Sequence, residues 1–284
     1  MLYMDMMIPY KNLYIYEISG EVLDSRSFFK EDFIGCWNEG EASYLFFAQP
    51  YDGEVEIFVK KKGFSLLGKD ILDYKAWQAG EELKPFKIGN LVISPPWENA
   101  RVEDGETLVH LDPCVVFGTG NHPTTFNCLK ALWQIYQKEK PKKVLDLGTG
   151  SGILALAASK WGAEKVLAID CNELAVDTAL RNVLLNGEDH RIEVKIGRAE
   201  YFIEEEADLV CANLHLKIIE SLMDKKAFFD KRWLLISGLF VKDGEEIERR
   251  FNQRSIETYQ KIQEKNWLTL VGFNKKGQVK LKYY

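Results

Sequence analysis

The chain has 284 residues, 46% of them hydrophobic and 28% charged, and a formal net charge of −6. That length suits two domains or one large one. No apolar run approaches the roughly 20 residues needed to span a bilayer, so no membrane association is expected. Met1-Leu-Tyr-Met-Asp-Met-Met-Ile8 has no basic segment followed by an apolar core and cleavage site, and a cytoplasmic location is expected. Cys36, Cys114, Cys128, Cys171 and Cys211 are scattered, odd in number and never spaced C-x-x-C, which favours buried thiols over a disulfide frame or a metal site. Charge is unevenly placed. Residues 1–99 hold 10 Lys+Arg against 16 Asp+Glu, and the remainder holds 27 of each. An acidic first third attracts a basic protein and repels a phosphate backbone, although it also serves solubility.

In chain order, Leu13–Ile18, Ser43–Phe47 and Val55–Val59 read as strands. Between the first two, the spacing of Phe28, Phe29 and Phe33 predicts a helix over Ser25–Ile34, and a small α+β domain over residues 1–65 follows. Residues 66–100 read as a linker region. It holds a short helix over Asp70–Ala79 and a hairpin over Phe86–Ser94 that turns at Gly89-Asn90.

Residues 101–284 alternate strands and helices. Thr107–Leu111 is strand-like and leads through Phe117-Gly-Thr-Gly120 and His122-Pro-Thr-Thr125 into a helix over 123–137, with Pro123 tolerated in the first turn. Then come strand Val144–Leu147, helix 152–161, strand 165–169, helix 173–186, strands 192–196 and 207–212, helix 215–229, strand 232–237 and helix 243–264. Trp267–Phe273 and Gln278–Tyr283 read as a closing antiparallel pair. This pace predicts a doubly wound, mostly parallel sheet.

Chemistry concentrates where Asp146-Leu-Gly-Thr-Gly-Ser-Gly152 ends the first of these strands. Glycines there permit positive φ and close backbone approach, and the N–H groups of the next helix point back at the turn. Asp170 ends the next strand, where its carboxylate would accept bonds from a ribose diol. The dinucleotide fingerprint G-x-G-x-x-G fails by one residue, because Ile153 stands where the third glycine belongs. With Asp146 opening the turn, the stretch resembles motif I of class I S-adenosylmethionine-dependent methyltransferases. The blander reading makes the glycines a means of close helix–strand packing. In the same way Thr124 or Thr125 could simply cap its own helix, and Asn213, in Ala212-Asn-Leu-His215, could be a turn former.

Taken together, the chain resembles the ribosomal protein L-eleven methyltransferase family (PrmA). The likeness runs from about Tyr74 to Gly244, through Trp77, Leu83–Ile88, Pro96–Glu98, Asp112-Pro113, Phe117–Gly120, His122–Thr125, Asp146–Gly152, Asp170, Asn182, Asn186-Gly187, Ala212–Leu214 and Ser237-Gly238. It implies a seven-stranded class I sheet that binds S-adenosylmethionine, with contacts at Thr125, Gly150, Asp170 and Asn213 and with Phe117, Gly118, Thr119 and Gly120 beside the methionine end; Thr124, Asp146, Gly148 and Gly152 are further candidate cofactor-binding residues. It also implies methyl transfer to amino groups of ribosomal protein L-eleven, a basic protein, recognised by the amino-terminal domain, with no direct contact to nucleic acid. Asn213 and His215 are the candidate catalytic residues. His215 is the neutral-pH base nearest the inferred crevice and could equally be an orienting or structural residue; His122 reads as loop-stabilising. Cys114, Cys171 and His215 depart from the family pattern, and the first 70 residues match it only in outline. A methyltransferase of nucleic acid or a small molecule, or a non-catalytic cofactor-binding module, is the alternative; Asn213-Leu-His215 lacks the paired prolines common in nucleic-acid amino methylation.

Overall fold

The computed structural model describes residues 11–23, 25–29, 32–74 and 83–276. They fall into two compact units, one of Met1–Lys84, Pro96–Asn99 and Asn172–Leu174, the other of Pro85–Pro95, Ala100–Cys171 and Ala175–Tyr284.

The first unit is built from β1 (Asn12–Ser19), β2 (Phe33–Glu39), β3 (Ala42–Phe47), α1 (Asp52–Lys62) and β4 (Leu66–Asp73). Its strands form an antiparallel sheet of order β2-β3-β1-β4. One sheet face, carrying Tyr16, Ile18, Leu45 and Phe47, packs on Val55, Phe58 and Val59 of α1. The expected strand at Val55–Val59 is therefore helical. Its buried residues fall at i, i+3 and i+4, and Asp52 and Glu54 in the first turn and Lys60–Lys62 in the last match the helix dipole. Gly63, at φ 75°, closes it. The expected helix over Ser25–Ile34 is also absent from the described part of that stretch. A turn brings the Phe28 N–H to the Ser25 carbonyl (3.1 Å), and Phe33 opens β2. Phe29 instead anchors a ring cluster, 5.2 Å from Phe33, 5.0 Å from Phe47 and 4.9 Å from Phe58, a nonlocal assembly that mimics helical spacing. Asp70–Asp73, expected to begin a helix, are strand because they pair with β1 in register from Asn12↔Asp73 to Ile15↔Asp70. Residues 75–79 of that expected helix lie outside the described residues.

The second unit opens with a three-stranded sheet, β5 (Phe86–Ile88), β6 (Leu91–Ser94) and β7 (Thr107–His110), whose first two strands form a hairpin around Gly89-Asn90. There follow α2 (Pro123–Lys138), β8 (Lys143–Leu147), α3 (Ile153–Trp161), β9 (Lys165–Asp170), α4 (Glu173–Leu185), β10 (Ile192–Ile196), α5 (Ala199–Phe202), β11 (Leu209–Asn213), α6 (Leu216–Met223), α7 (Lys226–Phe229), β12 (Trp233–Phe240), α8 (Gly244–Gln253), β13 (Glu257–Glu264) and β14 (Trp267–Phe273). The large sheet has the order β10-β9-β8-β11-β12-β14-β13. Its first five strands are parallel and β14 runs antiparallel to both neighbours. Helix 215–229 is interrupted into α6 and α7. The expected helix 243–264 ends at Gln253: Ser255 takes φ 59°, and Glu257–Glu264 continue as a strand that turns at Lys265, φ 53°. β14 consequently pairs with the strand before it, and Gln278–Tyr283 lie outside the described residues.

Each sheet face carries its own apolar cluster, including Leu129, Ile153 and Leu156 on one side and Ile219, Leu234 and Ile247 on the other. Strand order reverses at β8, between β9 and β11, so the loops after these three strands meet at one carboxyl-end crevice. Among the described residues no helix is long and apolar enough to cross a membrane.

Candidate functional site

The β8–α3 turn takes the glycine conformation three times, with Gly148, Gly150 and Gly152 at φ 72°, 54° and 84°. A Cβ at Gly150 would sit 2.5 Å from the Phe117 carbonyl oxygen, and one at Gly148 would sit 2.3 Å from Leu214 Cδ2. These glycines thus let the turn form and let two other loops press against it. Of the bonds that fix its shape, three reach the two acids and the Phe117 loop. Gly150 N–H donates to Asp170 Oδ2 (3.0 Å), Thr149 Oγ1 donates to Asp146 Oδ2 (2.7 Å), and Ser151 N–H donates to the Phe117 carbonyl (3.0 Å). The turn and the acid on the next strand are one unit.

Asp146 is fully buried beneath the turn, and its Oδ1 has no protein partner. Burial raises its carboxyl to about 6, and the charge of Asp170 pushes the same way. The folded value lies above that of the unfolded chain, so the stability Asp146 contributes is present below about pH 4 and is lost as pH rises through about 6. Denaturant titrations should therefore show the wild type losing about 3 kcal/mol relative to Asp146→Asn between about pH 4 and pH 7, the size of a two-unit shift. A constant offset across that range would refute the buried-acid assignment.

The Phe117–Gly120 loop lies against the turn. Ser151 Oγ donates to the Gly118 carbonyl (2.5 Å), Thr119 Oγ1 accepts from Asn121 N–H (3.2 Å), and Gly120, at φ 95°, lies against the Phe86 ring. Asn182 of α4 ties the preceding segment down, donating to the Asp112 and Ser151 carbonyls (2.8 Å each) and accepting from Asp112 N–H (2.9 Å). Neither Ser151 nor Asn182 received a role from the sequence. Phe117 is 47% exposed, an unusual position for a large apolar ring. It begins a row of aromatic contacts: Phe117 to His122 at 5.2 Å, His122 to Trp267 at 5.0 Å, and Trp267 stacked on Phe240 at 4.8 Å. The sequence reads Trp267 only as a strand residue and gives Phe240 no role, since nothing in their own neighbourhood points to a loop more than a hundred residues away.

His122 N-caps α2. Thr124 N–H donates to its Nδ1 (3.3 Å), and a backbone N–H can only donate, so the proton of the neutral ring sits on Nε2. The Thr124 hydroxyl, 2.8 Å from the same nitrogen, donates to it and keeps lone pairs for Asn213 Nδ2 at 3.3 Å. Asn213 Nδ2 also reaches Thr125 Oγ1 at 3.4 Å. The two hydroxyls therefore take the NH2 end of the amide and leave Oδ1 as its outward end. Burial, with Lys265 adding, lowers the His122 value, which keeps the ring neutral and the chain intact. His215 occupies the N-cap of α6, where its carbonyl accepts from Ile218 N–H (2.9 Å); its exposed ring makes no capping bond. The site thus brings together every sequence-assigned residue except His215, whose side chain no such bond holds.

The donor set has a clear electrostatic character. Across Phe117–Thr125, Asp146–Gly152, Asp170 and Asn213 there are two carboxylates and no lysine or arginine. A diphosphate would meet two carboxylates and no lysine or arginine there, whereas a cationic centre joined to a ribose diol fits. The α3 N-terminus, behind Gly152, suits a carboxylate.

The sheet order, the antiparallel β14 and the glycine turn at the switch point define a class I, Rossmann-like methyltransferase fold, a class that uses S-adenosylmethionine. The family model for ribosomal protein L11 methyltransferase (PrmA) matches residues 56–275, and the chain belongs to that family. A ribosomal protein L11 methyltransferase of Caldicellulosiruptor bescii is 42% identical over 190 residues, covering 66% of this chain and 61% of that protein. One from Caldicellulosiruptor saccharolyticus is 37% identical over 205 residues, covering 70% and 66%. The chain thus spans less than two thirds of the length of these relatives. The crystal structure of a ribosomal protein L11 methylase from Lactobacillus delbrueckii subsp. bulgaricus superposes with a TM-score of 0.56 at 29% identity, covering 66% of this chain and 97% of that one.

Proposed function

We propose that this chain transfers methyl groups from S-adenosylmethionine to amino groups of a basic protein, ribosomal protein L11, acting on lysine side chains, the α-amine or both. The observation that carries the reading is the crevice itself. Asp170 is locked to the glycine turn by the Gly150 bond, and the pocket residues hold acid without base. The acceptor is that of the relatives, which are ribosomal protein L11 methyltransferases. When bound, S-adenosylmethionine supplies an electrophilic methyl group on a sulfonium.

Asp170 would accept the ribose hydroxyls. The 148–152 turn and Phe117–Gly120 would enclose the methionine end, with Thr124 and Thr125 at the α2 N-terminus completing the wall. Asp146, beneath the turn, would act by bracing it. In-line displacement requires the amine about 3–3.5 Å from the methyl carbon, so positioning is the main task. Asn213 Oδ1 would accept one N–H of the incoming amine and aim its lone pair. A lysine near its usual value of about 10.4 must also lose a proton, at a cost of roughly 4–5 kcal/mol at pH 7, and an α-amine much less. His215 is the proposed proton acceptor. If it acts so, His215→Gln should flatten the acid limb of the pH–rate profile; a profile superimposable on the wild type would eliminate the base role.

Within this reading residues 1–65, together with β4 of the same sheet, recognise the substrate, the rest of 66–100 forms the linker region and 101–284 transfer the methyl group, in the cytoplasm and without direct contact to nucleic acid. The test is incubation with methyl-labelled S-adenosylmethionine and purified ribosomal protein L11, followed by mass spectrometry. Label on L11 amines is expected; label confined to RNA or to small molecules would overturn the reading.

A further inference from the structure

We propose that the outer edge of β4 is the docking strand for the protein substrate, taking an extended basic segment as a fifth strand of the amino-terminal sheet. This rests on the protein-substrate reading above. Among the described residues β4 is an edge: it pairs with β1 on one side, and alternate backbone N–H and C=O groups face away from that partner. Such edges are normally blunted by charge, proline, bulges or a cover.

Among the described residues, the other edges of the two larger sheets are blunted. β13 carries Glu257, Lys261 and Glu264, and β10 carries Glu193 and Lys195. β2 is bulged between Phe33 and Gly35, and Asn38 binds Val22 through both its amide nitrogen (3.0 Å) and its amide oxygen (3.3 Å). β4 is different. It contains no proline, and its one irregularity, at Leu67, leaves Gly68–Asp73 in regular register. Leu66, Leu67, Ile71 and Leu72 are 44%, 56%, 55% and 39% exposed. Four large apolar side chains on one open strand are a strip that a partner would cover. The single cation, Lys69, is turned onto the sheet face, bonded to Asp52 and lying over the Tyr16 ring at 5.5 Å.

Charge selects the occupant. Asp70 and Asp73 lie in the strand, Glu17 stands opposite Gly68, and residues 1–99 carry six more acids than bases. An added strand gains main-chain bonds from the edge and apolar contacts from Leu67 and Ile71, and flanking lysines or arginines would meet the acids.

The experiment uses the full chain, with purified ribosomal protein L11 as the probe. Adding L11 should slow amide exchange across Leu66–Asp73, and the exposed-site double variant L67K/I71K should raise KM for L11 at least tenfold while kcat and S-adenosylmethionine affinity hold. Methylation of L11 with unchanged KM in the variant, or with unchanged exchange in β4, overturns the docking strand alone. A wild-type dimer that the double variant dissolves also overturns it, by giving the edge to a second copy. A wild type that leaves L11 unmethylated refutes the substrate reading and the docking strand with it. Should L67K/I71K lose S-adenosylmethionine binding through misfolding, wild-type exchange decides.

Discussion

Asp170→Ala should weaken S-adenosylmethionine binding by at least 100-fold in calorimetric titrations while the chain stays folded. Two charge-assisted bonds to a ribose diol contribute roughly 1.5–3 kcal/mol each, and the variant loses both. It also loses the acceptor of the Gly150 N–H, so the turn is held to β9 only through the Gly148 and Thr149 N–H bonds to the Ile169 carbonyl. The fold should survive, because Asp170 sits at a strand end and β9 remains paired on both sides. Wild-type affinity in this variant would refute the ribose assignment. Loss of the cooperative unfolding transition would show the bond to be structural.

Replacing Asn213 by Ala should instead act on turnover. Its Oδ1 is the proposed acceptor for the amine, and its Nδ2 is held by Thr124 and Thr125. Removing one positioning bond to the nucleophile should lower kcat roughly 10–100-fold, equivalent to about 1.5–3 kcal/mol, with little change in cofactor affinity. The Thr124 bonds to His122 do not depend on Asn213, so the α2 N-terminus should hold and thermal stability should shift little. Normal turnover would make Asn213 a structural turn residue.

The site was more legible in the sequence than the amino-terminal unit, for physical reasons. Gly148, Gly150 and Gly152 mark backbone that needs positive φ, and that need is local. Asp170 stands out by its spacing from the turn, and Pro123 by where a helix tolerates it. Ser151, Asn182 and Trp267 act across 31 or more residues of chain, and no pattern around them foretells their partners. The misread elements share one cause: short apolar runs fit both periods. Val55–Val59 alternate as a strand would, yet the acid-to-base gradient from Asp52 to Lys62 already pointed to a helix. Residues 243–264 fit a helical period until Ser255, whose positive φ no periodicity records. The paired register of Asp70–Asp73 with β1 likewise depends on partners more than fifty residues away, from Ile15↔Asp70 to Asn12↔Asp73.

The account stands on the claim that the glycine turn and Asp170 together hold an adenosyl sulfonium. Calorimetric titration of the wild-type chain with S-adenosylmethionine and, separately, with NAD tests it most directly. Saturable one-to-one binding of S-adenosylmethionine with no heat from NAD is the predicted result. Binding of NAD, or of neither compound, would contradict it.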